Sequence, residues 1–235
     1  MKNKFLFSLL FFVFIQISAQ KSLMTISDSL FAIGRYKKAL NVLENSKPSF
    51  ESNYKKAIIY ESIDDYKKTI EFLEAALFFR NSQKAKLKLA KAYKNLKMLD
   101  KSIKIYEEIL AQDSLNLVLQ YQLGKMFIST KKSGKAIQSF KKLIYYDKEN
   151  ANYSYQLALS YALLKDRDRM INSLLDSYRK DTLHLKSIVR LATSFNKLKD
   201  ADSTRIFVEK GLKINPNEIY LNKLKINSLY RAKRY

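Results

Sequence analysis

One register, met six times along the chain, limits what this sequence can fold into. Ala39, Thr69, Ser102, Ala136, Met170 and Thr204 are separated by 30, 33, 34, 34 and 34 residues, and five of the six are small. Four residues after each stands a bulky apolar side chain: Leu43, Leu73, Tyr106, Phe140, Leu174 and Val208. Twelve before each of the last five comes Ala57, Ala90, Gly124, Ala158 or Ala192, followed three residues on by Tyr60, Tyr93, Phe127, Tyr161 or Phe195. Separations of three and four put side chains on one helix face. A unit of this length holds two antiparallel helices of about three turns each. The small residues mark where the two helices cross closely, and the bulky ones fill the holes beside the crossing. One hairpin cannot bury its own apolar face, so neighbours must stack on it.

Composition agrees. Four glycines and two prolines in 235 residues are too few for the turns of a β-rich fold, which leaves an all-α chain. The spacing predicts helix pairs at 22–33/36–46, 51–63/66–78, 83–96/99–111, 117–129/133–146, 151–164/167–180 and 185–197/201–213, with a last helix near 217–231. Gly34 and Gly134 are expected in turns between paired helices, and Gly124 and Gly211 at close crossings.

The segments "LGKMF" and "AIQSF", with "LAKAY", "LALSY" and "LATSF", carry the pattern L-[GA]-x-x-Y then A-x-x-x-F. This resembles the tetratricopeptide repeat (TPR), over about residues 22–231. No unit has the early tryptophan of that family, Met170 replaces a small residue, and only Asn215-Pro216 supplies a closing proline. The resemblance implies a right-handed α-solenoid spanning 21–235. Its repeats would run near 21–49, 50–81, 82–115, 116–149, 150–183 and 184–217, with an end helix at 218–235. It also implies a non-catalytic scaffold whose concave groove, lined by the first helix of each pair, holds an extended segment of a partner protein. First-helix residues not used in packing would face that groove. The partner-binding set is Tyr54, Lys91, Lys94, Tyr121, Lys125, Tyr155, Thr193 and Lys197, with Ile58, Leu87, Leu159 and Val189 beside them. Tyrosines give contact area at small entropic cost, and ammonium groups meet carboxylates.

Residues 1–20 read differently. Lys2 and Lys4 precede the apolar run Phe5–Ile15, broken only by Ser8, and Ile17-Ser18-Ala19 leads to a cut near Gln20. A basic start, short apolar centre and small-residue end read as a secretory signal peptide, too short to span a bilayer comfortably, with a retained membrane anchor as the rival reading. The expected location is the periplasm, with the extracellular medium as the alternative. The absence of cysteine excludes disulfides, thiolate metal sites and a lipoprotein anchor.

Enzyme signatures are lacking. Gly134-Lys135 suggests a phosphate loop, but Ser129 stands at its first glycine position and Ala136 at its hydroxyl position. The single histidine, His184, has no second ligand at metal-binding spacing and reads as a surface or capping residue. Asp64-Asp65, Glu107-Glu108 and the run from Asp166 to Arg169 read as helix caps or solvated charge. No cofactor or metal is expected. The formal charge of +22 comes from lysines scattered through every segment, which serves solubility. An alternative is a basic array for an anionic polymer or membrane surface; a specific nucleic-acid partner is not expected. The unpaired last helix suggests a third reading, a sensory or scaffold portion of a longer system.

Overall fold

The computed structural model describes residues 22–232, so the expected leader lies outside the described residues. Those residues form helices joined by short turns, with no strand among them. In order they are α1 (22–32), α2 (Tyr36–Glu44), α3 (Phe50–Ser62), α4 (Tyr66–Phe79), α5 (Gln83–Asn95), α6 (Leu99–Gln112), α7 (Leu117–Ser129), α8 (Ser133–Tyr146), α9 (Ala151–Leu163), α10 (Arg167–Lys180), α11 (Leu185–Lys197), α12 (Ala201–Ile214) and α13 (Ile219–Ala232). Every bound lies within two residues of the spacing-based expectation. The chain divides into two compact units, the first ending at Gln112 and the second beginning at Asp113.

The turns inside the hairpins share one device. Gly34, Asp64, Lys97, Lys131, Lys165 and Lys199 adopt left-handed backbone, with φ from 56° to 74°. Each lies five residues before the small-residue register. The next N–H then reaches back to a carbonyl at the end of the first helix: Asp65 to Tyr60 at 3.0 Å, Lys132 to Phe127 at 2.8 Å, Asp166 to Tyr161 at 3.1 Å. This satisfies a carbonyl that the helix end would otherwise orphan. Side chains then start the second helices, where Asp65, Asp166 and Asp200 accept from Lys68, Arg169 and Ser203 N–H groups. One expectation is corrected. Gly134 is not in a turn but in the first turn of α8, while Lys131 takes the left-handed position. A hydrogen-bonded helix end can hold a lysine there despite the strain of about 1 kcal/mol.

In the first unit α2 packs on α3, α3 on α4, α4 on α5 and α5 on α6. The small-residue crossings are literal contacts: Ser27 Oγ donates to the Ala39 carbonyl at 3.2 Å, and Ser102 Oγ to the Ala90 carbonyl at 2.7 Å. Leu43, Leu73 and Tyr106 are buried beside them. In the second unit Gly124 lets α7 approach the ring of Phe140 on α8, because a Cβ there would stand 2.8 Å from Phe140 Cζ. Phe127 and Phe140 are both buried, each contributing about 2–3 kcal/mol of apolar transfer energy. Gly211 is likewise at a crossing, since a Cβ would collide with Leu221 of α13 and lie 3.1 Å from Ile188 Cγ2 of α11. Met170 does not open the fifth hairpin: its side chain packs against a core containing Ala158, Leu174, Ile188, Leu191 and Phe207. Leu221 is fully buried in that core, which fixes α13 against α11 and α12.

Candidate binding pocket of the second unit

Within the second unit α7 packs on α9 and α11 on α13, so the first helices of successive hairpins stand side by side. Between α9, α11 and α13 they leave a pocket of about 480 Å³. Tyr155 of α9 forms one wall and Tyr220 of α13 another, while Leu185, Val189 and Thr193 of α11 form the floor. Lys186 and Arg190 of α11 and Glu218 stand at its polar rim. The positions follow from helix geometry, since residues 185, 186, 189, 190 and 193 repeat at three- and four-residue spacing along one face of α11.

The charges at the rim differ in their engagement. Glu218 Oε2 accepts the Leu221 N–H at 2.7 Å and so caps the start of α13. Lys186 and Arg190 form no ion pair among the described residues. For Arg190 the repeat gives a reason. Lys88 of α5 holds the same register, fourteen residues before its small residue, and meets Glu61 Oε2 of α3 at 2.6 Å. In Arg190's own neighbour the register of Glu61 is occupied by Ala162. A guanidinium is thus presented with its planar fork of donors unused, a group suited to a carboxylate.

His184 anchors this wall. It is the N-cap of α11, as a capping reading predicts, with Nδ1 3.3 Å from the Ser187 N–H and 2.7 Å from Ser187 Oγ. Its ring lies 5.4 Å from that of Tyr155. Burial holds its imidazole below the ordinary range and nearby Lys186 adds to this, while Asp181 opposes both.

Of the eight residues expected to bind a partner, Tyr155 and Thr193 meet in this pocket, together with Val189. Lys197 lines a separate space of about 880 Å³ with Asp200, Arg205, Val208 and Leu224. Tyr121 is used in packing, 6.1 Å from Phe140 and 5.7 Å from Tyr153 between ring centroids, and Lys125 lies over its ring at 5.6 Å. In the first unit Tyr54 stacks on Phe50 at 5.4 Å, and its buried hydroxyl has no hydrogen-bond partner. Burial accordingly raises the Tyr54 phenol above its ordinary pKa. Lys91 is exposed and Lys94 half-buried on α5. Leu185, Lys186, Arg190, Glu218 and Tyr220 were not expected. The signal for Tyr220 was present: Val118, Asn152, Lys186 and Tyr220 share one register at steps of 34. Among the described residues no three acidic or histidine side chains gather as a metal site, and no helix is long and apolar enough to cross a membrane.

Tetratricopeptide repeat family models match residues 84–114 and 118–150, the third and fourth units. No curated protein matches the chain in sequence. Several solved structures share its fold. The C-terminal part of a TPR repeat-containing protein from Cytophaga hutchinsonii superposes with a TM-score of 0.64 at 16% identity, covering 81% of this chain and 78% of that one. YrrB, described as a TPR protein with an unusual peptide-binding site, gives 0.61 at 16% identity over 81% of this chain and 97% of its own. MamA from Desulfovibrio magneticus RS-1, residues 41 to the end, gives 0.59 at 14% identity over 69% and 97%. The fold is that of a protein–protein interaction scaffold. The 34-residue register, the stacked hairpins and the shared fold agree with the two model matches: residues 84–114 and 118–150 are tetratricopeptide repeats, and the chain has the fold of proteins built from them.

Proposed function

We propose that this protein is a non-catalytic adaptor that holds an extended, acidic segment of a partner protein against α9, α11 and α13. One observation carries the reading: a pocket of about 480 Å³ joins two tyrosines to an arginine that no carboxylate of its own unit engages. Tyr155 and Tyr220 offer amphipathic contact area with few rotamers to freeze, and Arg190 and Lys186 offer charge to a carboxylate. The description of YrrB as having a peptide-binding site supports a peptide ligand for this fold. The leader read at residues 1–20 supports a partner in the cell envelope, most simply the periplasm, and fractionation with an epitope-tagged chain tests that location.

Affinity capture from native envelope extracts, comparing the wild-type chain with Arg190→Gln and with Tyr155→Ala, tests the pocket. Arg190→Gln should leave the helical circular dichroism unchanged and reduce retention of the captured partner about tenfold. Undiminished capture by both variants would sink the reading.

A further inference from the structure

The hydrogen bonds around His184 count protons, and they reach from the core to the pocket wall. Ser177 Oγ of α10 lies 2.8 Å from the Ala151 carbonyl of α9, an obligate acceptor, so its hydroxyl proton points there. Ser177 Oγ is then free to accept from Ser187 Oγ of α11, 2.7 Å away. With its proton spent, Ser187 Oγ can only accept from His184 Nδ1, at 2.7 Å. On the other side of the ring, Nε2 faces Asn152 Oδ1 of α9 at 3.2 Å, again an acceptor. Nδ1 thus has two competing partners: protonated, it donates to Ser187 Oγ at 2.7 Å, and unprotonated, with the ring proton on Nε2, it caps α11 by accepting the Ser187 N–H at 3.3 Å. The doubly protonated ring keeps the Ser187–Ser177–Ala151 relay and gives up the cap, whereas the neutral ring keeps the cap and its Nε2–H donation to Asn152 Oδ1, and the Ser187 hydroxyl can then turn toward Nδ1. The network therefore has two discrete arrangements separated by one proton.

We propose that His184 is a proton-operated switch on the pocket, in which gain or loss of the imidazole proton rearranges the Asn152–His184–Ser187–Ser177–Ala151 chain and with it the Tyr155 wall. This deepens the peptide-binding reading and rests on it. Three helices are tied by the chain, and α9 and α11 carry six of the eight pocket residues. Tyr155 is one helical turn beyond Ala151 and its ring touches the imidazole. Leu185 and Lys186 directly follow the histidine.

The charged and titratable groups acting on the ring are few. Asp181 in the preceding turn favours the proton and Lys186 on α11 opposes it. On α9 the neighbouring titratable group is the Tyr155 phenol. On α10 Asp176 and Lys180 are engaged with each other at 2.7 Å and with Ser154. Burial sets the balance toward the neutral ring at neutral pH. Acidification therefore adds a positive charge beside Lys186 and Arg190, which favours an acidic segment, and by reciprocity a carboxylate bound there raises the proton affinity of His184.

As the chain has one histidine, its titration can be followed without assignment ambiguity. Nuclear magnetic resonance of the full, ligand-free chain between pH 4.5 and 8 should show the imidazole inflecting below about 6.5. The Tyr155 ring and the Ser187 amide, which loses Nδ1 as its acceptor, should inflect at the same pH. In His184→Asn, which keeps a good N-cap, those signals should be flat through the range. An imidazole that titrates while Tyr155 and the Ser187 amide stay still overturns the switch, as does a Tyr155 inflection that survives in His184→Asn. Either result leaves the peptide-binding reading untouched, which stands or falls on capture by Arg190→Gln and Tyr155→Ala.

Discussion

The two units share a repeat but treat its spare surface in opposite ways. In the first, neighbouring first helices are stitched together by charge: Lys55 of α3 pairs with Asp28 of α1, and Lys88 of α5 with Glu61 of α3. Its groove-register tyrosine, Tyr54, is folded down on Phe50. In the second unit the lysine register is held by Gln122, Gln156 and Arg190, and the Glu61 register by Ile128 and Ala162. Among the described residues no ion pair joins those helices, and a pocket opens where Arg190 emerges. Packing dictates the small and bulky positions of each hairpin and leaves the remaining positions free to differ. Binding is therefore to be sought where neighbouring registers fail to neutralise one another.

The largest expected effect tests how far the shared packing rule goes. Gly124→Ala places a methyl 2.8 Å from Cζ of the fully buried Phe140, and should cost about 1–3 kcal/mol by overpacking. Ala90 holds the same register in the first unit, buried without a glycine, and Ala90→Gly should cost about 1 kcal/mol through backbone entropy. One register thus prefers opposite residues in the two units. Gly134→Ala, with nothing within 4 Å of the new methyl, should instead stabilise α8 by about 0.5–1 kcal/mol. Urea titrations of the three variants check the signs, and a stabilised Gly124→Ala would remove the close crossing from the account.

Next in size is a conversion of one unit's surface into the other's. Ala162→Glu supplies α9 with the carboxylate that Glu61 gives to α3, so Arg190 gains an internal partner. Capture of an acidic segment should fall about tenfold, while an exposed pair changes stability by less than about 1 kcal/mol. Loss of capture equal to that of Arg190→Gln would tie the pocket's charge to this one register. Unchanged capture would show that Arg190 is not the contact.

Much of this was written in the sequence, for a physical reason. The hairpins and their bounds follow from small and bulky residues at fixed separations, because the core admits no other arrangement of them. The groove was less legible. Tyr54, Tyr121 and Tyr155 hold one register, fifteen residues before the small residue, and read alike. Their fates are set by what stands beside them: Phe50 takes the first, Phe140 and Tyr153 the second, and only the third is left lining a pocket. Lys197 was placed on the correct helix, yet it faces a different space. Turn conformation was misread at Gly134 because a glycine beside a turn is the obvious candidate for left-handed backbone, whereas hydrogen bonds at the helix end hold Lys131 there.

Those turns give a smaller test. The first unit closes its hairpins with Gly34, Asp64 and Lys97, and the second with Lys131, Lys165 and Lys199. Glycine has no Cβ to strain at such a position, so Lys131→Gly and Lys165→Gly should each stabilise by about 0.5–1 kcal/mol after the added entropy of the unfolded chain is subtracted. The reverse change, Gly34→Lys, should destabilise by a similar amount. Thermal unfolding of the single and double variants measures this, and additive gains are expected because the turns are separate. A loss of stability on Lys131→Gly would mean that the lysine side chain contributes more than its backbone costs.

The smallest effect is a slope with pH, and it should belong to one unit. His184, the chain's one histidine, lies in the second unit, with its imidazole held below the ordinary range chiefly by burial. The unfolded chain then binds that proton more readily than the folded one, so stability rises with pH across the interval. The contribution is fully present above about 6.5, the unfolded value, and is lost as pH falls from there through the lower folded value. Asp166 and Asp200 also sit below the ordinary carboxylate range, through their hydrogen bonds as helix caps. Their contributions are lost only below about 3.9, outside the histidine's window. Hydrogen exchange between pH 7.5 and 5, corrected for intrinsic rates, should therefore show protection falling in α9–α11 while α3–α5 hold steady. His184→Asn should flatten the difference. Equal losses in both units would assign the slope to net charge, because self-repulsion in a chain of +22 has no reason to choose one hairpin over another.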